Sequence, residues 1–287
     1  MIPLLDTHQH LIYRDRVGYG WTNGIPALES GDFTLKDYAG VTRDAGIGES
    51  LFMETGVDDA DYQAETRLVH ELAQDPARGV VGLIASIRPE TDDGFDAWLE
   101  ESIELGAVGY RRILHVVDDG MSETETFRRN VRRIGKAGKV FDMCFLARQL
   151  PIALELARAC ENTTLVIDHC GVPDIAGGGL DPWRADMTAL AALPNTVCKL
   201  SGILAYCAPG DVSLAAIRPY VDHVLDAFGP ERIVWGSDWP VVNMAKGLPD
   251  WIAVTRTILD GLSDDEAAAI ANDTAQSVYG AKLAAGA

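Results

Sequence analysis

Pro3-Leu-Leu-Asp6-Thr-His8-Gln-His10 opens the chain with an apolar run that ends in two histidines. Alternate side chains of a strand share a face, so Asp6, His8 and His10 are expected on one side and Thr7 and Gln9 on the other. Two imidazoles projecting side by side are a ligand pair for a borderline metal such as zinc, or a donor pair for an oxyanion. They could equally be polar side chains capping a strand end. The later segments of the chain decide between these.

Seven further β-type runs succeed the first: Ser50–Thr55, Val80–Ile87, Val108–Leu114, Val140–Leu146, Thr164–Cys170, Thr196–Gly202 and Arg232–Asp238. Most intervals hold an amphipathic stretch long enough for a helix, among them Tyr62–Gln74, Phe95–Leu105, Glu123–Ala137, Pro151–Ala159, Trp183–Leu193 and Ala215–Ala227. Strand and helix repeated eight times is the sequence form of a closed parallel barrel, because each right-handed crossover returns the chain beside the previous strand. An open doubly wound sheet competes. No Gly-x-Gly-x-x-Gly follows the first strand, which lowers that alternative. The expected fold is a single (β/α)8 TIM barrel over residues 1–287, with a long loop after strand 1.

Composition narrows the partners. A formal charge of −19 argues against nucleic acid and against an anionic membrane, and no apolar run reaches the ~18 residues of a membrane span. The five cysteines, with no Cys-x-x-Cys spacing, suggest buried free thiols in a reducing compartment. The first strand begins almost at Met1 and leaves no room for a cleaved signal peptide, so a cytoplasmic location is expected. A homo-oligomer is possible on this sequence.

In such a barrel, chemistry sits at the carboxyl ends of the strands. Alternation places Asp238 inward with Val234 and Gly236, where a carboxylate can bind a metal or take a proton from water. It could instead cap the next helix. His169 shares a face with Leu165 and Ile167, and Arg111 and His115 share one with Gly109 and Ile113. Arg111 is either paired structurally or waiting for a substrate carboxylate. Lys199 and Ser201 offer donors to a ligand or a rim salt bridge, and Glu54 could join the cluster. His70 and His223 fall in helical stretches and are expected to face solvent. Residues 11 to 34, with Tyr13, Arg14, Arg16, Tyr19 and Trp21, read as a loop over the barrel mouth, suited to a ring-shaped polar ligand or simply packed on the rim. Gly171–Asp181, with three consecutive glycines, reads as a lid or a linker. Ser263 and Glu266 form a capping box, and Ala281–Ala287 is expected to fray.

Five motifs in register carry a resemblance: Asp6-Thr-His8-Gln-His10, Gly109-Tyr-Arg111, Asp168-His169-Cys-Gly171-Val-Pro-Asp174, Lys199-Leu-Ser201-Gly202 and Trp235-Gly-Ser-Asp238-Trp-Pro240. A terminal helix ending Val278-Tyr279-Gly280 completes the set. Together they resemble the amidohydrolase superfamily, in the branch of L-fuconolactonase, L-rhamnonolactonase and 2-pyrone-4,6-dicarboxylate lactonase. The resemblance implies a barrel that opens lactones, with Asp238 activating water. It implies that His8, His10 and His169 line the site and, with Asp238, hold one divalent metal, zinc, where one is used; the branch also includes metal-free members. Arg111 and Lys199 would hold the substrate, with His115, Tyr19, Trp21 and Arg14 as further contacts. Strand five lacks a histidine and strand four lacks the bridging lysine or glutamate of binuclear members, so two metals are not expected. The expected substrate is the lactone of a sugar acid or of a related carboxylated compound. A mononuclear metal-dependent decarboxylase or other hydrolase is the alternative, and a non-catalytic binder of a small acid the third reading.

Overall fold

The computed structural model describes residues 2–75 and 79–280; the fraying expected for Ala281–Ala287 lies outside the described residues. Eight parallel strands run in chain order around one sheet. They are β1 Leu4–Gln9, β2 Ile47–Met53, β3 Val80–Ser86, β4 Ala107–Ile113, β5 Val140–Cys144, β6 Leu165–Ile167, β7 Thr196–Leu200 and β8 Ile233–Trp235. All eight expected strands form. Helices α1 to α8 follow them in turn, at Leu35–Thr42, Tyr62–Ala73, Phe95–Glu104, Glu125–Lys136, Leu150–Ala159, Leu180–Ala191, Leu214–Phe228 and Leu248–Leu259. Two short helices come after them, α9 Asp264–Ala268 and α10 Thr274–Tyr279. The architecture is a single (β/α)8 barrel.

Two apolar layers follow from the two faces of a β-strand. Leu5, Leu51, Met53, Ile84, Val140, Val166, Val197 and Val234 point into the barrel, where Ala275 and Tyr279 of α10 join them. The opposite faces pack on the helices, with Trp98, Phe127, Trp183 and Trp251 among the large buried rings. The capping box expected at Ser263 is present at the start of α9, with Ser263 Oγ accepting from the Glu266 amide.

The barrel closes at the seam between its first and last strands. Thr7 Oγ1 donates to the Trp235 carbonyl at 2.7 Å, and beyond the end of β8 the Asp238 amide donates to the His8 carbonyl and the His10 amide to the Trp239 carbonyl, both at 2.8 Å. These bonds fasten the His8–His10 segment to the Asp238 turn. None of the helices among the described residues is long and apolar enough to cross a membrane, and all five cysteines are buried free thiols.

Candidate active site

The four central groups reach the barrel mouth by two different local geometries. His8 and His10 leave β1 on the same side, their rings meeting edge to face at 4.8 Å. Asp6, expected on that face with them, turns instead to Tyr38 of α1, because the strand register shifts between Asp6 and Gln9. His169 and Asp238 do not arrive by strand alternation: β6 ends at Ile167 and β8 at Trp235, two or three residues short of each group. Both then adopt left-handed backbone, with φ of 53° at His169 and 57° at Asp238. Non-glycine residues take that conformation rarely and at a cost, so the turns are held by their surroundings. The His169 ring ends 4.5 Å from that of His8.

Asp6 organises this corner from behind. One carboxylate oxygen accepts from the amides of Ser237 at 2.8 Å and His8 at 3.0 Å, and the other accepts from the Tyr38 hydroxyl at 2.5 Å. It therefore fixes both segments of the seam. Two glycines make room for the cluster. A Cβ on Gly202 would lie 2.5 Å from Asp238 Oδ2 and 2.7 Å from His169 Nδ1, and one on Gly236 would lie 2.5 Å from the His8 Cβ. A side chain at either place would force these groups to move.

Burial sets the charges. Asp238 is pushed up to about 6 by burial, opposed by His169 and Arg111. His10 is lowered to about 4 by burial and by Arg111, and burial likewise holds His8 and His169 below the ordinary imidazole range. The imidazoles are thus neutral near pH 7. His10 Nδ1 lies 3.0 Å from the Met53 carbonyl, which can only accept, so Nδ1 carries the proton and Nε2 keeps a lone pair 3.4 Å from Asp238 Oδ1. His169 Nδ1 lies 2.9 Å from Ser201 Oγ.

His8, His10 and Asp238 each offer a ligand atom within 4.8 Å of the others. Neutral imidazoles and a carboxylate, with the His10 lone pair oriented by a backbone carbonyl, are the donor chemistry of one divalent cation. At His8 the same lone pair is approached by a protein cation: Arg111 Nη1 lies 3.2 Å from Nε2, while Nδ1 lies 3.5 Å from Asp168 Oδ1.

A cavity of about 460 Å³ opens above these groups. Its wall includes His10, His169, Asp238, Arg111, His115 and Trp21 of the expected site residues, together with Glu54. His8, Arg14, Tyr19 and Lys199 are not among its lining residues, His8 lying fully buried behind the wall. Arg14 bonds to the carbonyls of Gly31 and Leu28 and to Thr22, holding the first loop together, and Tyr19 is buried with its hydroxyl accepting from the Tyr13 amide. The loop's aromatics therefore pack inward on the rim, Ile12, Val17, Tyr19 and Val57 forming a small core, and only Trp21 reaches the cavity. Lys199 lies fully buried below the site, ion-paired with Asp142 and 3.4 Å from Asp168. Arg111 is bonded to Glu54 at 2.6 Å and to Asp168 at 3.3 Å.

Other expectations shift in the same way. The Gly171–Asp181 segment is a turn closed on itself by Asp174, which accepts from the Gly177 amide, and is tied to the Tyr206 carbonyl through Ala176. His70 and His223 are half-buried rather than solvent-facing: His70 contacts the Leu105 carbonyl at 2.9 Å, and His223 packs 5.5 Å from Trp183. Sequence reading passed over Arg88, Arg112 and Tyr206, which also line the cavity. The Tyr206 ring lies 6.4 Å from that of His169, and its hydroxyl has no hydrogen-bond partner among the described residues. Its signal was faint, a lone aromatic in the loop after β7.

Known proteins are similar to this chain along most of its length. An L-fucono-1,5-lactonase of Burkholderia multivorans is 29% identical over 289 residues, 96% of this chain and 95% of its own. A 4-sulfomuconolactone hydrolase of Rhizobium radiobacter is 27% identical over 249 residues, 82% of this chain and 75% of its own. The crystal structure of an amidohydrolase from Burkholderia multivorans with bound zinc superposes with a TM-score of 0.86 at 27% identity, covering 97% of this chain and 99% of that one. The family model described as Amidohydrolase matches residues 5–281, and the chain belongs to the amidohydrolase family.

Proposed function

We propose that the protein hydrolyses a lactone, with Asp238 as the general base. The observation that carries this reading is the convergence at the cavity floor of a carboxylate tuned to about 6, the His10 lone pair 3.4 Å from it, and the His169 ring. A base poised near working pH is what activation of water requires. The names of the relatives, a sugar-acid lactonase and a sulfomuconolactone hydrolase, support the same reaction class.

Asp238 takes a proton from a water that also donates to His10 Nε2. The hydroxide oxygen bonds to the ring carbonyl carbon, and the negative charge passes to the carbonyl oxygen. Neutral His169, whose Nδ1 is engaged by Ser201, presents its other ring nitrogen to that oxygen, and the Tyr206 hydroxyl is a second donor. Collapse breaks the ring carbon–oxygen bond, and the departing alkoxide takes the proton from Asp238. The hydroxy acid leaves with the carboxylate regenerated. Arg111, fixed by Glu54 and Asp168, sets the His8 ring and adds positive potential to the floor. A divalent cation held by His8, His10 and Asp238 would supply Lewis-acid polarisation of the carbonyl. Sugar-acid lactones are the first substrates to try. Incubation with a panel of aldonic and pyrone lactones, following acid release, tests the reading; a panel left intact by the wild-type protein but bound in the cavity would refute hydrolysis.

A further inference from the structure

The cavity is polar at its buried inner end, and its lip carries two exposed apolar side chains. Its inner wall is built from buried His10, Glu54, Arg111, His169 and Asp238. Its apolar lining is Trp21, Val57, Ile113, Val116, Val117 and Val241, and the exposed carboxylate of Asp59 stands at the opening with Trp21 and Val116. Four large apolar side chains are exposed among the described residues, and two of them, Val116 at 68% and Trp21 at 38%, stand on this lip. Apolar surface concentrated at the mouth of a cavity is surface a ligand would cover.

The cations of the wall are already engaged. Arg88 donates through Nε to Asp59 at 2.9 Å and through Nη1 to Ser86 Oγ at 2.8 Å and the Ile87 carbonyl at 3.2 Å, with Nη2 2.7 Å from Asp59. Arg111 commits all three nitrogens to Glu54, Asp168 and His8. Arg112 holds Glu90 through Nε at 3.0 Å and Nη2 at 2.8 Å. Glu54, Asp59 and Asp238 meanwhile bring negative charge to the same wall. A ligand carboxylate would have to displace one of these partners to obtain the paired donors that bind it well.

We infer that the substrate is an uncharged lactone carrying an apolar substituent, its ring at the Asp238 floor and its substituent against Trp21 and Val116. This rests on the lactonase reading and narrows it.

The test is kcat/KM for δ-lactones with no substituent, methyl, propyl or pentyl on the ring, beside a ring-carboxylated counterpart. Each added methylene up to propyl should raise kcat/KM about fourfold. The carboxylated ring should fall about tenfold or more below the methyl one. Val116→Ser should flatten the chain-length slope, and Glu90→Gln, by freeing Arg112, should raise turnover of the carboxylated lactone about tenfold. A flat slope in the wild-type protein, or a carboxylated lactone preferred over the alkyl series, overturns the inference. If nothing is hydrolysed, the lactonase reading fails separately. Thermal shifts with the same compounds then decide, since stabilisation that grows with the alkyl chain upholds the apolar lip and its absence overturns it.

Discussion

Alanine at Gly202 should cripple turnover while leaving a folded protein. The added methyl carbon would stand 2.5 Å from Asp238 Oδ2 and 2.7 Å from His169 Nδ1, where ordinary contact begins near 3.4 Å. The carboxylate must therefore retreat by 0.9 Å (3.4 − 2.5) and the ring by 0.7 Å (3.4 − 2.7). Misplacement of a reacting group by about 1 Å costs about a hundredfold in rate, or roughly 2.7 kcal/mol of barrier. The backbone adds its own cost, since φ is +59° at Gly202 and a left-handed alanine is less stable by about 1–2 kcal/mol. Gly138→Ala separates the two effects, because its φ is +70° with nothing within 4 Å of the new methyl. Both variants should lose the left-handed backbone cost in urea titrations, Gly202→Ala the more because its buried neighbours must also shift, but only Gly202→Ala should lose kcat on the best lactone. A folded Gly202→Ala protein turning over within about threefold of wild type would refute the assignment of Asp238 and His169 to the reacting centre.

Asp238→Asn should cut kcat by about 10³ and leave Tm equal or higher, because a buried amide is less costly than a buried carboxylate; steady-state kinetics and thermal melts check both halves. If Asp238 is the base it works deprotonated, and with burial pushing its carboxyl up to about 6, kcat/KM in enzyme cleared of divalent cations by chelation should rise tenfold per pH unit below that value and level off above it. A pH-rate profile flat through that region would take Asp238 out of the role. Lys199→Met should destabilise the fold by about 3–5 kcal/mol in urea, because it leaves Asp142 buried without its cation and Asp168 with Arg111 alone, and adding Asp142→Asn should recover part of the loss.

The barrel was legible because burial on both faces makes each parallel strand a short apolar run, and those runs recur along the chain. His8 and His10 were legible for the same reason, as the polar end of such a run. His169 and Asp238 were assigned to the right volume by the wrong geometry. Alternation assumes that the strand continues, whereas β6 and β8 stop early and left-handed turns carry both groups inward. Backbone at positive φ leaves little trace in sequence when the residue is not glycine. Pairing was equally hidden: nothing local to Arg111 announces Glu54, fifty-seven positions away, or that Lys199 would turn down to Asp142 instead of up to a ligand. The first loop showed its aromatics but not which of them would be taken into its own small core.

Below the cavity floor the buried charges alternate in sign from Glu54 to Arg111, Asp168, Lys199 and Asp142, and the chain ends on the Tyr279 hydroxyl, 2.9 Å from Asp142 Oδ2. A buried ion-pair network of this kind is a poor way to gain stability, since apolar side chains of similar volume commonly do as well or better. Its effect on the groups above is specific. Burial alone would raise Asp168, yet Lys199, His8 and Arg111 outweigh it and hold the carboxyl well below its usual range. An anionic Asp168 beside His8 Nδ1 favours the tautomer protonated there, which leaves Nε2 as a lone pair facing Arg111 and the floor. Asp142 is shifted the other way, up to about 7, by burial that Lys199 only partly opposes. The layer thus trades stability for one fixed ring orientation at the site, and the terminal helix takes part in it through Tyr279.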